Sequence, residues 1–139
     1  SFYGLFHFGV LDKDDPKLHR VYENIKNRLT VPAGRGGIAR YEGDNYFLKG
    51  KDVVGNPWII TTLWFAEYEI ARAKNRDELF KALVHLEWTH QQTNSGGMLS
   101  EQLDAITGEP VSVMPLVWSH AQYVVTFLAF VEKLREFSK

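Results

Sequence analysis

The sequence has no cysteine, which excludes a disulfide frame, a thiolate nucleophile and a zinc–thiolate centre. It also lacks a surplus of charge. Sixteen Lys and Arg stand against seventeen Asp and Glu, a formal net charge of −1. No basic field is present to attract phosphates, so nucleic acid is not an expected partner. The five histidines form no His-x-x-x-His pair, His85 and His90 being five apart, and no metal is expected. No Gly-rich phosphate loop follows a strand, so no cofactor is implied. The Gly-x-Ser-x-Gly elbow of a serine nucleophile is missing too. Ser119, within Trp118-Ser119-His120, reads instead as a small helix-packing residue. Nothing reads as a bilayer-spanning segment, and no membrane partner is expected. The chain opens on Phe2-Tyr3-Gly4-Leu5-Phe6 without an initiator Met, as a cut through something longer would. A soluble protein is expected; its compartment is left open, with the cytoplasm as the working assumption.

What is present is enough chain for one domain with a real core and a clear helical periodicity. Residues 2–10 are apolar on most sides and read as the end of a buried helix. Asp15-Pro16 is a helix start, with Asp15 as N-cap and Pro16 at the first helical position. Leu18, Val21, Tyr22, Ile25 and Leu29 then recur at three- and four-residue spacing opposite Lys17, Arg20, Glu23, Lys26 and Arg28, the pattern of an outer amphipathic helix. Asn56-Pro57 repeats the cap-then-proline signal and predicts a helix over 57–73 that is apolar nearly all round from Trp58 to Ala66. Asn75 caps another over 76–90, with Leu79, Phe80, Leu83 and Leu86 on one face. Pro115 opens a last one to about Phe137, apolar on most sides in its first turns. Buried and outer helices alternate, as two concentric helical layers would produce. The expected class is all-α, with no convincing strand.

Two long loops, 30–55 and 91–114, each precede a buried helix and should meet at one end of the bundle. The first is punctuated by Pro32, Gly34, Gly36, Gly37, Gly43, Gly50 and Gly55, with Ile38 to Tyr41 as a short extended piece; its aromatic content argues against disorder. The second holds Glu101-Gln102, Asp104 and the turn Thr107-Gly108-Glu109-Pro110. Taken alone it is either an acidic surface turn or a loop with a poised carboxylate. Together the loops and the helix starts beside them gather Arg40, Tyr41, Asp44, Tyr46, Trp58, Glu101, Gln102 and Trp118. Charged and amide groups suit vicinal hydroxyls, and aromatic faces suit sugar rings. Aromatics are 14% of the chain.

Three blocks carry a resemblance. Arg40-Tyr41-Glu42-Gly43-Asp44-Asn45-Tyr46 with Gly55-Asn56-Pro57-Trp58, then Ser100-Glu101-Gln102-x-Asp104 with Thr107-Gly108, then Pro115-Leu116-x-Trp118-Ser119, resemble the glucoamylase family of inverting glycoside hydrolases, in its order and spacing. The resemblance implies an (α/α)6 barrel, of which residues 1–139 form a single C-terminal fragment of about five helices. It implies hydrolysis of α-glucosidic bonds at the non-reducing ends of α-glucans. Glu101 matches the general base. Arg40 and Asp44 match groups that bond sugar hydroxyls, with Tyr41 beside them; Gln102, next to Glu101, is expected to bind substrate too; and Tyr46, Trp58 and Trp118 match pocket aromatics. His120, where fungal members have Tyr, and the longer stretch 47–54 depart from them, leaving maltooligosaccharide, dextran and trehalose all open as substrates. An inverting hydrolase needs a second carboxyl, the general acid, about 6.5–9.5 Å from the base. In the family it lies upstream of these blocks, so the fragment alone should be inactive. Its partners should be an α-glucan or oligosaccharide, and the rest of the catalytic domain or another copy, covering apolar faces at Trp64, Phe65 and Phe127. The alternative is a non-catalytic glucoamylase-like regulatory or sugar-binding domain.

Overall fold

Local chemistry sets the first helix boundaries. The Asp15 carboxylate accepts the Lys17 N–H at 2.7 Å and Pro16 opens α2, Pro16–Leu29, where its missing N–H costs nothing. A shorter helix, α1 (Phe2–His7), precedes it. The computed structural model describes residues 2–31 and 36–138; Pro32 and Gly34 of the glycine-rich loop lie outside them. Helix α3 runs Ile59–Arg72 and has ten of its fourteen residues buried, so it is the central element. Ile59, Leu63, Ala66 and Ile70 face a cluster shared with α4 (Arg76–Lys81), α5 (Leu83–Gln91) and α6 (Val117–Glu136). Phe65 and Tyr68, on the opposite side, join Phe2, Leu18, Tyr22 and Leu29. The fold is all-α in class, a partial helical barrel of about five helices.

Several details differ from the sequence reading. Four two-residue strands, β1 (Ile38–Ala39), β2 (Pro57–Trp58), β3 (Gln102–Leu103) and β4 (Pro110–Val111), form one antiparallel sheet in chain order. They are too short to leave an alternating pattern. The helix expected from Pro57 therefore starts at Ile59, and Asn56 does not cap it; its amide is used between the loops. The helix expected over 76–90 breaks at Ala82, where i→i+3 bonds (Ala82 N–H to Leu79 O, His85 N–H to Ala82 O) tighten one turn. Asn75 caps the first half as expected, accepting from Glu78 N–H at 2.9 Å. Helix α1 is only partly covered, with Phe2 its buried residue.

Helix α6 inverts the expected pattern. Its buried stripe is Ser119, Gln122, Thr126 and Phe130, largely polar, while Val117, Val124, Val125, Phe127 and Leu128 are exposed. The cause is Glu67 on α3, a buried carboxylate that accepts hydrogen bonds from the Gln122 amide and, at 3.1 Å, from Thr126 Oγ1. Tyr3 Oη donates to its other oxygen at 2.8 Å. A buried carboxylate needs such partners, and they occupy the inner face of α6. Of the three apolar residues expected to be uncovered, Phe127 is exposed and Trp64 is partly covered. Phe65 is buried in the core. The stretch 110–131 holds no Asp, Glu, Lys or Arg, yet no described helix is long and apolar enough to cross a membrane.

Candidate active site

The sheet brings the two loops together. Trp58 pairs with Ile38 on one side and Gln102 on the other, and Gln102 pairs with Val111. The β3–β4 turn is closed by Asp104, whose Oδ1 accepts the N–H groups of Ile106 and Thr107, both at 2.9 Å. Gly108 supplies the φ of 78° that the turn requires. The Thr107 N–H is the main cause holding the Asp104 carboxyl below its usual range. Burial opposes it, and the Ile106 N–H and Lys49 add to it. The Lys49 ammonium stands 3.5 Å from Asp104 Oδ2.

Arg40 follows β1 and is held by Asp44 through a two-point contact, Nε to Oδ2 and Nη2 to Oδ1, each 2.9 Å. This planar match fixes the guanidinium, and the bond to Asp44 raises the Arg40 pKa further above an already high value. The guanidinium carbon lies 4.2 Å from the Trp58 ring centre, 4.9 Å from that of Tyr41 and 5.6 Å from that of Tyr46. Cation–π attraction to three rings adds to the clamp.

Glu101 immediately precedes β3 and is partly exposed. Its backbone is pinned on both sides, with Ile59 N–H donating to its carbonyl at 3.2 Å and its own N–H donating to Val113 O at 2.9 Å. Its carboxylate accepts a short hydrogen bond from Ser112 Oγ. The Tyr46 hydroxyl stands 3.5 Å from that same Oγ. Polar contacts therefore run Glu101–Ser112–Tyr46, and the Tyr46 ring in turn lies against the Arg40 guanidinium. Ser112 went unnoticed in the sequence; the only sign of it is its place across the hairpin from Glu101, at a φ of 66°.

Other expected residues sit differently. Gln102 is fully buried, because strand alternation turns it inward where Glu101 turns outward. Its Oε1 accepts from Asn56 Nδ2 at 3.0 Å, so its side chain is turned to the other loop. Asp44 is 1% exposed; its oxygens serve Arg40 and the Tyr46 N–H rather than open space. Trp58 is buried beneath Arg40 instead of forming an open wall. Tyr41 and Tyr46 are exposed. Trp118, exposed on the first turn of α6, has its ring neighbour in Trp64 at 6.1 Å and not in the Arg40 cluster. Asn56, expected from the sequence to cap a helix, acts here instead. Besides Gln102 it bonds Phe47 O at 3.2 Å and accepts the Ala105 N–H at 3.0 Å, tying the two loops at their centre.

Comparison with known proteins gives consistent results. The profile of glycosyl hydrolases family 15 matches residues 13–128. An uncharacterized glycosyl hydrolase of Methanocaldococcus jannaschii is 33% identical over 129 residues, 86% of this chain and 20% of that protein. A glucoamylase of Clostridium sp. is 33% identical over 140 residues, 95% of this chain and 19% of that one. The chain thus spans about a fifth of the length of these relatives. In fold it is similar to the solved glucoamylase of Hormoconis resinae. The TM-score is 0.61 at 21% identity, over 82% of this chain and 26% of that one.

Proposed function

The chain belongs to glycosyl hydrolases family 15, and on that premise we propose that it supplies the general base and one wall of the sugar pocket for inverting hydrolysis of α-glucosidic bonds at the non-reducing ends of α-glucans. The observation that carries this reading is the line from Glu101 through Ser112 and Tyr46 to the Arg40 cluster. A carboxylate fixed at one end of a row of hydroxyl and guanidinium donors can hold a water against an oriented sugar. Glu101 takes a proton from that water as its oxygen bonds the anomeric carbon, and the glycosidic C–O bond breaks with protonation of the leaving oxygen. Arg40 engages sugar hydroxyls through the edge not used by Asp44, with Tyr41 and Tyr46 against the ring. Trp118 borders the pocket from α6. Trp58, Asp44 and Gln102 act through Arg40 and the strand register.

The leaving oxygen needs an acid; Asp52 and Glu109 are exposed loop carboxylates, and the other three besides Glu101 are engaged. Asp44 serves Arg40, Glu42 pairs with Arg28 at 2.8 Å, and Asp104 holds its own turn. We place the general acid outside these 139 residues, so the chain by itself does not hydrolyse glycosides; the rest of the catalytic domain is its partner.

The test is glucose release from maltooligosaccharides by the full-length protein and its Glu101→Gln variant. The expected result is a kcat reduced by about 10²–10⁴-fold with the substrate still bound. A variant with kcat close to the parent's removes Glu101 from the role of base. A parent that binds glucan without cleaving it identifies a sugar-binding relative instead.

A further inference from the structure

A cavity of about 480 Å³ opens between α2, α3 and the α4–α5 arm, at the far end of α3 from the strand ends. Fourteen residues of helix, about 20 Å, separate the two. Two of its three carboxylates are already in use, and the third, Glu23, is half-exposed and 4.0 Å from His19 Nε2. Glu69 accepts from the Tyr22 hydroxyl and from Lys26 Nζ at 3.2 Å, and stands 3.4 Å from His85 Nε2. Glu78 accepts the Lys74 N–H at 2.9 Å at the start of α4. At the buried floor, what remains uncommitted donates.

Tyr68 is 1% exposed, yet among the described residues its buried hydroxyl has no hydrogen-bond partner, and neither has the buried Nε of Arg72 one turn later. Asp14 Oδ1 forms an ion pair with that Nε at 3.7 Å, beyond hydrogen-bond range, and Arg72 Nη1 contacts His19 Nδ1 at 2.5 Å. At the rim, Lys74 and Lys81 are exposed and belong to no ion pair among the described residues. Buried donors without acceptors are rare in folded proteins. Two of them in one cavity, beneath two unpaired ammonium groups, call for a ligand rich in acceptor oxygen and negative charge. The volume suits a small molecule.

We propose that this cleft binds a small oxyanion-bearing metabolite, a phosphate ester or polycarboxylate, with Arg72 and Tyr68 holding an oxyanion at the floor and Lys74 and Lys81 neutralising it at the rim. The site is independent of the sugar pocket and of the assignment of Glu101.

Isothermal titration of the full-length protein at low ionic strength tests it, with inorganic phosphate, citrate and glucose as probes. The expected result is a Kd below about 1 mM for phosphate or citrate, whichever source of oxyanion the cleft prefers, and no heat from glucose. Tyr68→Phe and the double variant Lys74→Ala/Lys81→Ala should each raise that Kd about tenfold or more. The rim lysines are exposed, so the double variant stays readable even if Tyr68→Phe disturbs packing. Glycosidase activity of the rim variant should equal the parent's. Absence of anion binding up to about 10 mM, equal affinity in parent and rim variant, or glucose binding as tightly as the anions would each overturn the proposal.

Discussion

Asn56 is the residue on which the site geometry most depends, and its replacement gives the sharpest forecast. Its side chain is 1% exposed and makes three hydrogen bonds: to Phe47 O, to Gln102 Oε1 and from Ala105 N–H. Asn56→Ala leaves all three partners buried or partly buried without it. At about 1 kcal/mol net for each bond, and up to about 3 kcal/mol for each group left unsatisfied, a loss of about 3–5 kcal/mol is expected. Asn56→Asp separates the terms. It keeps the acceptor for Ala105 N–H but turns the two donated bonds into oxygen–oxygen contacts and buries a charge, so it should be as damaging as the alanine despite its shape. Urea denaturation of the full-length protein reads both. Because Asn56 spans the loops, glucose release should also fall more steeply than the folded fraction does. A stability change below about 0.5 kcal/mol in Asn56→Ala, typical of an unremarkable surface site, would show that the loops are held by something else.

Three further outcomes follow from the same contacts. Ser112→Ala removes the hydroxyl that bonds Glu101; kcat should drop about tenfold with KM nearly unchanged, and an unchanged kcat would make Ser112 a bystander. Gly37→Ala puts a Cβ 2.5 Å from the Trp88 ring and 2.7 Å from Pro57 Cβ at a φ of +78°, which should cost more than about 2 kcal/mol by thermal melt. Asp104 has its folded pKa lowered from 3.8, so its contribution is present above that value and lost as pH falls through the lower, folded one. The stability gap between the parent and Asp104→Asn should therefore be widest near neutral pH and narrow in acid. A gap independent of pH would refute that account.

The elements governed by neighbours in the chain were legible in the sequence. Asp15-Pro16 and Asn75 cap where their types say, and the apolar run Trp58–Ala66 buries as its composition demands. What depended on distant partners was not. Asn56-Pro57 carries the same local signal as Asp15-Pro16, but pairing of Trp58 with Gln102 draws the segment into a strand and frees the Asn56 amide for the other loop. The polar inner stripe of α6 could not be anticipated without knowing that Glu67 lies opposite it. Of the site, the residue types on the two loops were readable. Which of them face outward was not, because a one-residue register decides that Glu101 is presented while Gln102 is enclosed.

Neighbouring strands are joined by only one or two residue pairs, well short of what a sheet needs to persist alone. Their cohesion comes from Asn56, from the Asp104 turn and from docking on α3. Such a unit should open together, ahead of global unfolding. In amide hydrogen exchange, the N–H groups of Ile59 and Glu101, which donate to Glu101 and Val113, should lose protection as a pair and sooner than the interior of α3. A bound sugar bridging the two loops would slow both amides by the same factor, so their exchange would follow occupancy without any need for turnover.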